Sequence, residues 1–187
     1  IVYAKLIEAF SLTHSVDTLL HSYVHDFNQF STAFEGVAQA IQRLHSQGYR
    51  LGLISNGKSP FQENNFNALG LSQFFDSVLV SEAIGIRKPD AAIFNLSCLQ
   101  LKTSAEHCVF IGDNEIADIQ GAQKAGMKTI FFHPDPNKVS QLSNENLHHF
   151  QDLDRIISNL QPIPCYMGLN QFDLRDKVYH PLKSLVS

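Results

Sequence analysis

Short apolar runs alternate with amphipathic stretches through the middle of the chain. Four of them have the length and the β-branched or aromatic content of buried strands: 51–55 (LGLIS), 77–81 (SVLVS), 108–112 (CVFIG) and 128–132 (KTIFF). Because these runs are apolar at successive rather than alternate positions, the pattern is typical of strands that are covered on both faces.

The segments between the runs predict helices. The clearest one extends from about Phe34 to Gln47, since Val37, Ala40, Ile41 and Leu44 recur at the spacing of one helix face. Further helices are predicted over 3–10, 16–30, 60–69, 90–101, 116–125 and 153–160. The alternation of strands and helices predicts an α/β fold with a doubly wound, Rossmann-type parallel sheet. After Gln161 the pattern fails, so 162–187 is an unassigned tail.

The first predicted strand ends in Ser55-Asn56-Gly57. In an open parallel sheet, ligands bind beyond the carboxyl ends of the strands. A hydroxyl and successive backbone N–H groups at this place can hold phosphate oxygens. Taken alone, the motif is better explained as a turn before the next helix, because Ser, Asn and Gly are common turn residues.

Lys88 precedes Pro89 at the start of a predicted helix. Proline suits the first turn of a helix and restricts the residue before it to an extended conformation. A lysine held in this way can direct its ammonium into the crevice and screen a phosphate beside a carboxylate. The alternative is an ordinary solvated surface lysine.

The third strand ends in Gly112-Asp113-Asn114, and Asp118 follows on the next helix. Two carboxylates at the mouth of a crevice are hard oxygen ligands that suit Mg²⁺, which takes one or two protein carboxylates and keeps several waters. The alternative makes Asp113 a helix N-cap and Asp118 a solvated helix residue. The pair alone does not decide between them.

Together, the three sites resemble the motifs of the haloacid dehalogenase superfamily. SNG at 55–57 is similar to its second motif, SEAIGIRKPDAAIF at 81–94 to its third, and VFIGDNEIADIQGAQKAGMKTIFF at 109–132 to its fourth. The resemblance covers about residues 34–160. It implies that 1–31 are the C-terminal part of a helical cap, that 32–161 are the hydrolase core, and that 162–187 lie outside both.

The family resemblance also implies a mechanism. An aspartate at the end of the first strand attacks phosphorus and forms an aspartyl-phosphate, and a second aspartate two residues later acts as acid and base. Ser55, Asn56 and Gly57 would bind the phosphoryl oxygens, and Lys88 would balance charge. Asp113 would ligate Mg²⁺, with Asp118 bound to the metal directly or through a neighbouring group.

The first motif of the family, an apolar strand followed by DxDxT, is missing from this sequence. Residues 172–179 (FDLRDKVY) look like a damaged copy, in which Arg175 replaces the acid–base aspartate; chance resemblance is the preferred explanation, with Asp173 as the alternative nucleophile. We therefore expect the 187 residues alone to be inactive. Since the sequence begins with Ile1, the native N-terminus is expected to be missing.

The sheet should show the consequence of a missing first strand. In the resembled family that strand is central, in the order 5-4-1-2-3. Its loss would leave a gap of roughly 9–10 Å between the strands that end at Ser55 and Gly112. The gap would be empty, filled by another chain, or filled by residues 172–179 folding back. We expect the chain not to be stable by itself, because buried unpaired backbone groups are costly.

Composition limits the kinds of partner that the protein is expected to bind. The net charge of −4 provides no basic field for nucleic acid, and no apolar run approaches the roughly 20 residues of a membrane span. Cys98, Cys108 and Cys165 lie far apart in the sequence, which indicates reduced thiols and a cytoplasmic location. A small phosphorylated metabolite is the expected partner, and a homodimer is an open alternative for the assembly.

Two other functions compete with a phosphatase. A haloacid dehalogenase has no phosphate dianion to neutralise and needs no metal, so the acidic pair Asp113 and Asp118 favours the phosphatase. A catalytically silent domain with a binding role is favoured by the missing first motif. The sequence does not identify the substrate, because specificity in the resembled family depends largely on the cap.

Overall fold

The computed structural model of the protein describes residues 2–160 and 182–183. Its strands form one parallel six-stranded sheet in the order β2-β1-β6-β3-β4-β5. The strands are β1 (Leu51–Ser55), β2 (Ser77–Val80), β3 (Val109–Gly112), β4 (Lys128–Phe132), β5 (Glu145–Leu147) and β6 (Leu182–Lys183). The doubly wound α/β fold is confirmed, and so are the four predicted strands, to within one residue at each end.

The helices also follow the predicted pattern. They are α1 (Val2–Phe10), α2 (Val16–Asp26), α3 (Val37–Ser46), α4 (Phe61–Ala68), α5 (Ser81–Ile84), α6 (Ala91–Gln100), α7 (Gly121–Lys124) and α8 (Leu153–Leu160). The predicted helix 16–30 ends earlier, and Phe27–Phe30 continue it as a 3₁₀ helix. The predicted helix 116–125 begins as a π-helix over Glu115–Gln120. Among the described residues, no helix is both long and apolar enough to cross a membrane.

Apolar clusters cover the two faces of the sheet. On one face, α3 packs its four predicted apolar residues with α8 against β1, β3 and β4. On the other face, α6 packs Phe94 edge-to-face against Phe110 of β3, with 4.9 Å between the ring centroids. Full burial of one such large apolar side chain contributes roughly 1.5–3 kcal/mol. These two clusters hold β1 and β3 in place, and the polar residues that follow both strands are positioned with them.

The leading helices lie outside these clusters. α1 has no buried residue, and several large apolar side chains of α1 and α2 are exposed. Tyr23 of α2 and Phe27 pack against the ring of Phe61 at the start of α4, at centroid distances of 5.5 and 5.4 Å. This aromatic contact is compatible with a small unit attached to the core. The assignment of 1–31 to a cap, of 32–161 to the core and of 162–187 to a tail stays a prediction.

The centre of the sheet is filled from the far end of the chain. Leu182 pairs with Leu51 of β1 and Val109 of β3, and Lys183 pairs with the next residue of each strand. β1 and β3 therefore do not pair directly. The strand order of the resembled family likewise places one strand between them. The inserted strand comes from this chain but from residues 182–183, whereas the expected segment 172–179 lies outside the described residues.

Candidate active site

The carboxyl ends of β1 and β3 open into a pocket of about 430 Å³. Ser55 at the end of β1, Lys88 before α6 and Asp113 after β3 all line it, and Asn56 and Asp118 do so as well. The structure thus brings Ser55, Lys88 and Asp113 together in one pocket. Parallel strands bring these residues together, because residues that follow neighbouring strands meet at one edge of the sheet.

Lys88 is a buried lysine with a specific partner. Its side chain is 9% exposed, and its Nζ lies 2.7 Å from Oδ1 of Asp118, whose side chain is 5% exposed. Nζ also lies 5.4 Å from the centroid of the Phe110 ring, within the range of a cation–π contact. The alternative of a solvated surface lysine is therefore wrong. Buried charges are costly unless they are paired, and the pairing with Asp118 therefore allows Lys88 to keep a positive charge in the pocket.

The side chain of Asn56 fixes the backbone of Lys88. Its Nδ2 donates to the carbonyl oxygen of Lys88 at 2.9 Å, and its Oδ1 accepts from the N–H of Lys88 at 2.9 Å. Both polar ends of the amide are thus used inside the protein. The assignment of the Asn56 side chain to phosphate oxygens is therefore not supported. What remains of that assignment is the backbone N–H of Asn56.

Gly57 is turned toward the start of α5. Its N–H donates to Oγ of Ser81 at 3.0 Å. Gly57 is not among the described residues that line the pocket, in contrast to Ser55 and Asn56. The predicted phosphate-binding set is therefore brought together only in part.

Asn114, rather than Asp113, caps the helix that follows β3. Its Oδ1 accepts from the N–H groups of Ile116 and Ala117 at 3.1 and 2.8 Å. Since Asn114 provides the cap, the carboxyl of Asp113 is left to face the pocket. The alternative that made Asp113 an N-cap is wrong.

Asp118 is buried below the pocket instead of being solvated. Its Oδ2 accepts from the N–H of Asn114 at 3.1 Å. Its Oδ1 lies 2.7 Å from Nζ of Lys88, so the carboxylate and the ammonium form an ion pair. Asp118 sits in the π-helical turn, in which the N–H of Ile119 reaches back to the carbonyl of Asn114 at 3.1 Å. Such turns are frequent at functional sites.

Gly112 makes room for Asp118. A Cβ on Gly112 would lie 2.5 Å from the Cβ, the Cγ and Oδ2 of Asp118. The clash would involve the Cβ of a buried residue, which cannot swing away as a flexible side-chain end can. Only glycine at the end of β3 therefore allows Asp118 to approach Lys88 so closely.

We expect Gly112→Ala to lower the free energy of unfolding by about 2–3 kcal/mol, because overpacking a buried contact displaces neighbouring atoms. The control is Gly57→Ala, where the new Cβ would lie 2.6 Å from Cγ and Nε2 of Gln62, a partly exposed side chain that can rotate away. Urea denaturation measures both. Equal losses in the two variants would contradict the special role of Gly112.

The charges of the pocket leave room for a cation. Partial burial of its carboxyl raises the pKa of Asp113, and the nearby Asp118 carboxylate raises it further, while Lys88 opposes the shift. Two carboxylates thus face one ammonium. The described residues contain no group of three His, Cys, Asp or Glu side chains that could hold a metal. Two carboxylates still fit Mg²⁺, because this ion completes its coordination with water.

The pocket also has an aromatic side that the sequence analysis missed. The ring of Phe132, at the end of β4, lies 5.0 Å from that of Phe34 and 4.6 Å from that of Phe150, and all three residues line the pocket. Phe132 follows a predicted strand at the same edge as Asp113, which is the signal that could have identified it. Phe34 precedes α3, and Phe150 begins the 3₁₀ helix Phe150–Asp152. The periodic pattern does not indicate that these two segments reach the pocket.

The chain is similar to known proteins. The family model of haloacid dehalogenase-like hydrolases matches residues 2–132. Glyceraldehyde 3-phosphate phosphatase of Pyrococcus abyssi is 34% identical over 52% of this chain and 41% of its own length. The HAD-hydrolase YfnB of Bacillus subtilis is 32% identical over 70% of this chain and 57% of its own length. The chain therefore spans about half the length of these relatives.

Solved structures agree with these relatives. The magnesium-bound structure of YfnB has a TM-score of 0.71 at 27% identity and covers 83% of this chain and 69% of that one. A 2-haloacid dehalogenase of Pseudomonas syringae has a TM-score of 0.61 at 30% identity and covers 68% of this chain and 54% of that one. The likeness thus includes proteins named for two different reactions.

Proposed function

Since the chain belongs to the haloacid dehalogenase-like hydrolases, we propose that it carries the phosphate-binding and metal-binding part of a magnesium-dependent phosphomonoester phosphatase. One observation carries the proposal: Ser55, the buried Lys88–Asp118 pair and the carboxyl of Asp113 surround a single pocket. The reaction of the whole protein would proceed through an aspartyl-phosphate.

The residues divide the work of binding. The Ser55 hydroxyl and the backbone N–H of Asn56 donate to phosphoryl oxygens, which such groups at a strand end can hold. The Lys88 ammonium offsets the charge of the phosphate. The Asn56 amide holds the backbone of Lys88, and the Asp118 carboxylate holds its ammonium.

Asp113 is the proposed direct ligand of Mg²⁺, because its carboxyl faces the pocket and is not used as a cap. Asp118 keeps Lys88 in place and, as a second carboxylate in the same pocket, would help to hold the metal directly or through a neighbouring group. When bound, Mg²⁺ would neutralise the phosphate and orient it toward the attacking group.

The attacking group is not among the described residues. The sequence contains no DxDxT segment, and the alternative nucleophile Asp173 lies outside the described residues. We therefore propose that the 187 residues alone show essentially no turnover. A longer protein that also contains the DxDxT strand should be active.

Hydrolysis of p-nitrophenyl phosphate tests the proposal. The longer protein should be active with Mg²⁺, inactive with EDTA, and reduced at least about a hundredfold by Asp113→Asn, since this carboxylate holds the metal. Turnover that survives both EDTA and Asp113→Asn would contradict the metal role. Robust turnover by the present chain would show that the nucleophile lies within these 187 residues. Asp173→Asn would then be the next variant to assay.

The raised pKa of Asp113 gives a prediction for the metal-free chain. A carboxyl with a raised pKa in the folded state binds its proton more tightly when folded, so it contributes stability that is lost as pH rises through that pKa. We therefore expect Asp113→Asn to be slightly more stable than the wild type near neutral pH, by less than about 1 kcal/mol because water screens the group. The difference should vanish below about pH 4.

Asp135→Asn is the control with the opposite sign. Hydrogen bonds from the backbone and side chain of Asn137 lower the pKa of Asp135, so this variant should lose stability near neutral pH. Urea denaturation at several pH values measures both variants. Added Mg²⁺ should stabilise the wild type but not Asp113→Asn. A neutral-pH loss in Asp113→Asn without metal would contradict the raised pKa.

Two alternative functions have less support than the phosphatase. A dehalogenase is supported by the Pseudomonas syringae structure, but that reaction needs no metal and so gives the Asp113 carboxyl no ion to bind. A silent binding domain is supported by the absence of a DxDxT segment from the sequence. Turnover of p-nitrophenyl phosphate by the longer protein separates the phosphatase from both.

The proposed substrate is a small phosphorylated metabolite, as for relatives named glyceraldehyde 3-phosphate phosphatase and ribulose-1,5-bisphosphate 5-phosphatase. A cytoplasmic location fits such a substrate and belongs to the same proposal. The homodimer stays a prediction, for which light scattering of the purified protein is the measurement.

A further inference from the structure

Two cysteines that are ten positions apart in the sequence meet in the core. Cys98, near the end of α6, and Cys108, directly before β3, have their Sγ atoms 3.6 Å apart. Both are buried, with exposed fractions of 5% for Cys98 and 1% for Cys108. The distance between Cys98 and Cys108 along the sequence gave no sign of this contact, which the fold produces.

The distance is that of two sulfur atoms in contact, with no atom between them. A disulfide has an S–S bond of about 2.05 Å, so the atoms must approach by roughly 1.5 Å. The segment between the two cysteines includes a turn and one 3₁₀ helix rather than a rigid element. Cys108 also directs its Sγ toward the carbonyl oxygen of Ser104 at 3.2 Å.

We propose that Cys98 and Cys108 are a redox-sensitive dithiol that a peroxide converts reversibly to a disulfide. The Cys98 sulfur, the more exposed of the two, attacks an oxygen of hydrogen peroxide; the O–O bond breaks, and a sulfenic acid and water form. The Cys108 sulfur then attacks the Cys98 sulfur, the S–O bond breaks, and a second water leaves. The two thiols are oxidised by two electrons, the peroxide is reduced, and the two thiol protons end up in the water.

The disulfide would join two elements of the candidate active site. α6 begins directly after Lys88-Pro89-Asp90, and β3 ends at Gly112 beside Asp113. A covalent link between α6 and β3 would restrict movement of the lysine-bearing segment relative to the carboxylate-bearing strand. This inference does not depend on the proposed phosphatase reaction, because the test below measures thiols rather than turnover.

The experiment uses the full chain with Cys165→Ser, so that only Cys98 and Cys108 can react. The folded protein is treated with hydrogen peroxide, quenched with acid, and examined by intact mass and by mapping of peptides. We expect the loss of two hydrogen atoms, a peptide that links Cys98 to Cys108, and full reversal by dithiothreitol. Amide hydrogen exchange in α6 and β3 should slow in the oxidised form.

The matched controls are Cys98→Ser and Cys108→Ser in the same background. Neither can form the link, so Cys108→Ser should gain oxygen at Cys98 instead of losing hydrogen. Failure of the two-cysteine protein to lose two hydrogens overturns the proposal, whether the thiols stay reduced or gain oxygen. A link between Cys98 residues of two molecules would also overturn it.

Discussion

Asp118→Ala should lower the free energy of unfolding by about 3 kcal/mol. The substitution removes the partner of the buried Lys88 ammonium and leaves this charge with little water around it. Breaking a buried ion pair at one partner costs about 3–5 kcal/mol. The lower end applies here, because Asp113 is close enough to interact with Lys88.

Asp152→Ala is the matched control. Asp152 forms an ion pair with Arg155 at 3.2 Å, but both side chains are largely exposed. Exposed pairs contribute about 0–1 kcal/mol, so this variant should stay near wild-type stability. Urea denaturation gives both values. Similar losses in the two variants would show that Lys88 does not need Asp118, and the proposed positioning of the lysine would fail with that result.

Lys183→Pro should destabilise the protein by about 3 kcal/mol or more. The main chain of Lys183 pairs with β1 at Gly52 and with β3 at Phe110. Proline has no N–H to donate and is excluded from central strands. The substitution would disturb the strand that separates β1 from β3, and the backbone groups of those strands would lose their partner.

Lys183→Ala separates the backbone from the side chain at the same position. Alanine keeps the N–H, so the pairing of β6 survives and the stability should change by less than about 1 kcal/mol. Circular dichroism with urea measures the stability of each variant, and size-exclusion chromatography detects self-association through the opened sheet. If proline and alanine behave alike, the central strand of the sheet is not formed by residues 182–183.

The parallel core was readable from the sequence because its elements have strong local patterns. Val37, Ala40, Ile41 and Leu44 mark the buried face of α3, and all four are buried in the fold. β5 was missed, since its residues Glu145 and Asn146 do not look like a buried strand. It pairs with β4 as an outer strand, and the side chain of Asn144 before it accepts from the N–H of Thr129 at 2.8 Å.

β6 could not be predicted from local pattern either. Two residues are too few for any periodicity to be recognised. The sequence analysis predicted the gap from the strand order of the family, and that reasoning identified where a strand was needed. Folding back of residues 172–179 was one of three outcomes left open, and among the described residues it is 182–183 that pair with β1 and β3.

The site was predictable in its membership but not in its contacts. Because Ser55, Lys88 and Asp113 follow successive strands, the sequence was sufficient to group them in one site. The amide of Asn56 and the close approach of Asp118 to Gly112 depend on distances between segments that are far apart in the sequence. Such contacts leave no periodic signal, and for that reason Asn56 was assigned to the ligand instead of to Lys88.

The insertion of β6 also determines when the fold can be completed during synthesis. The ribosome releases β1, β2, β3, β4 and β5 before residues 182–183, so each neighbour of the central strand exists before the strand itself. In this chain β1 and β3 lack β6 until residues 182–183 have been made, and unpaired strand edges of this kind are prone to bind chaperones or other chains. Among the described strands, the one that joins the two halves of the sheet is therefore the last to be synthesised.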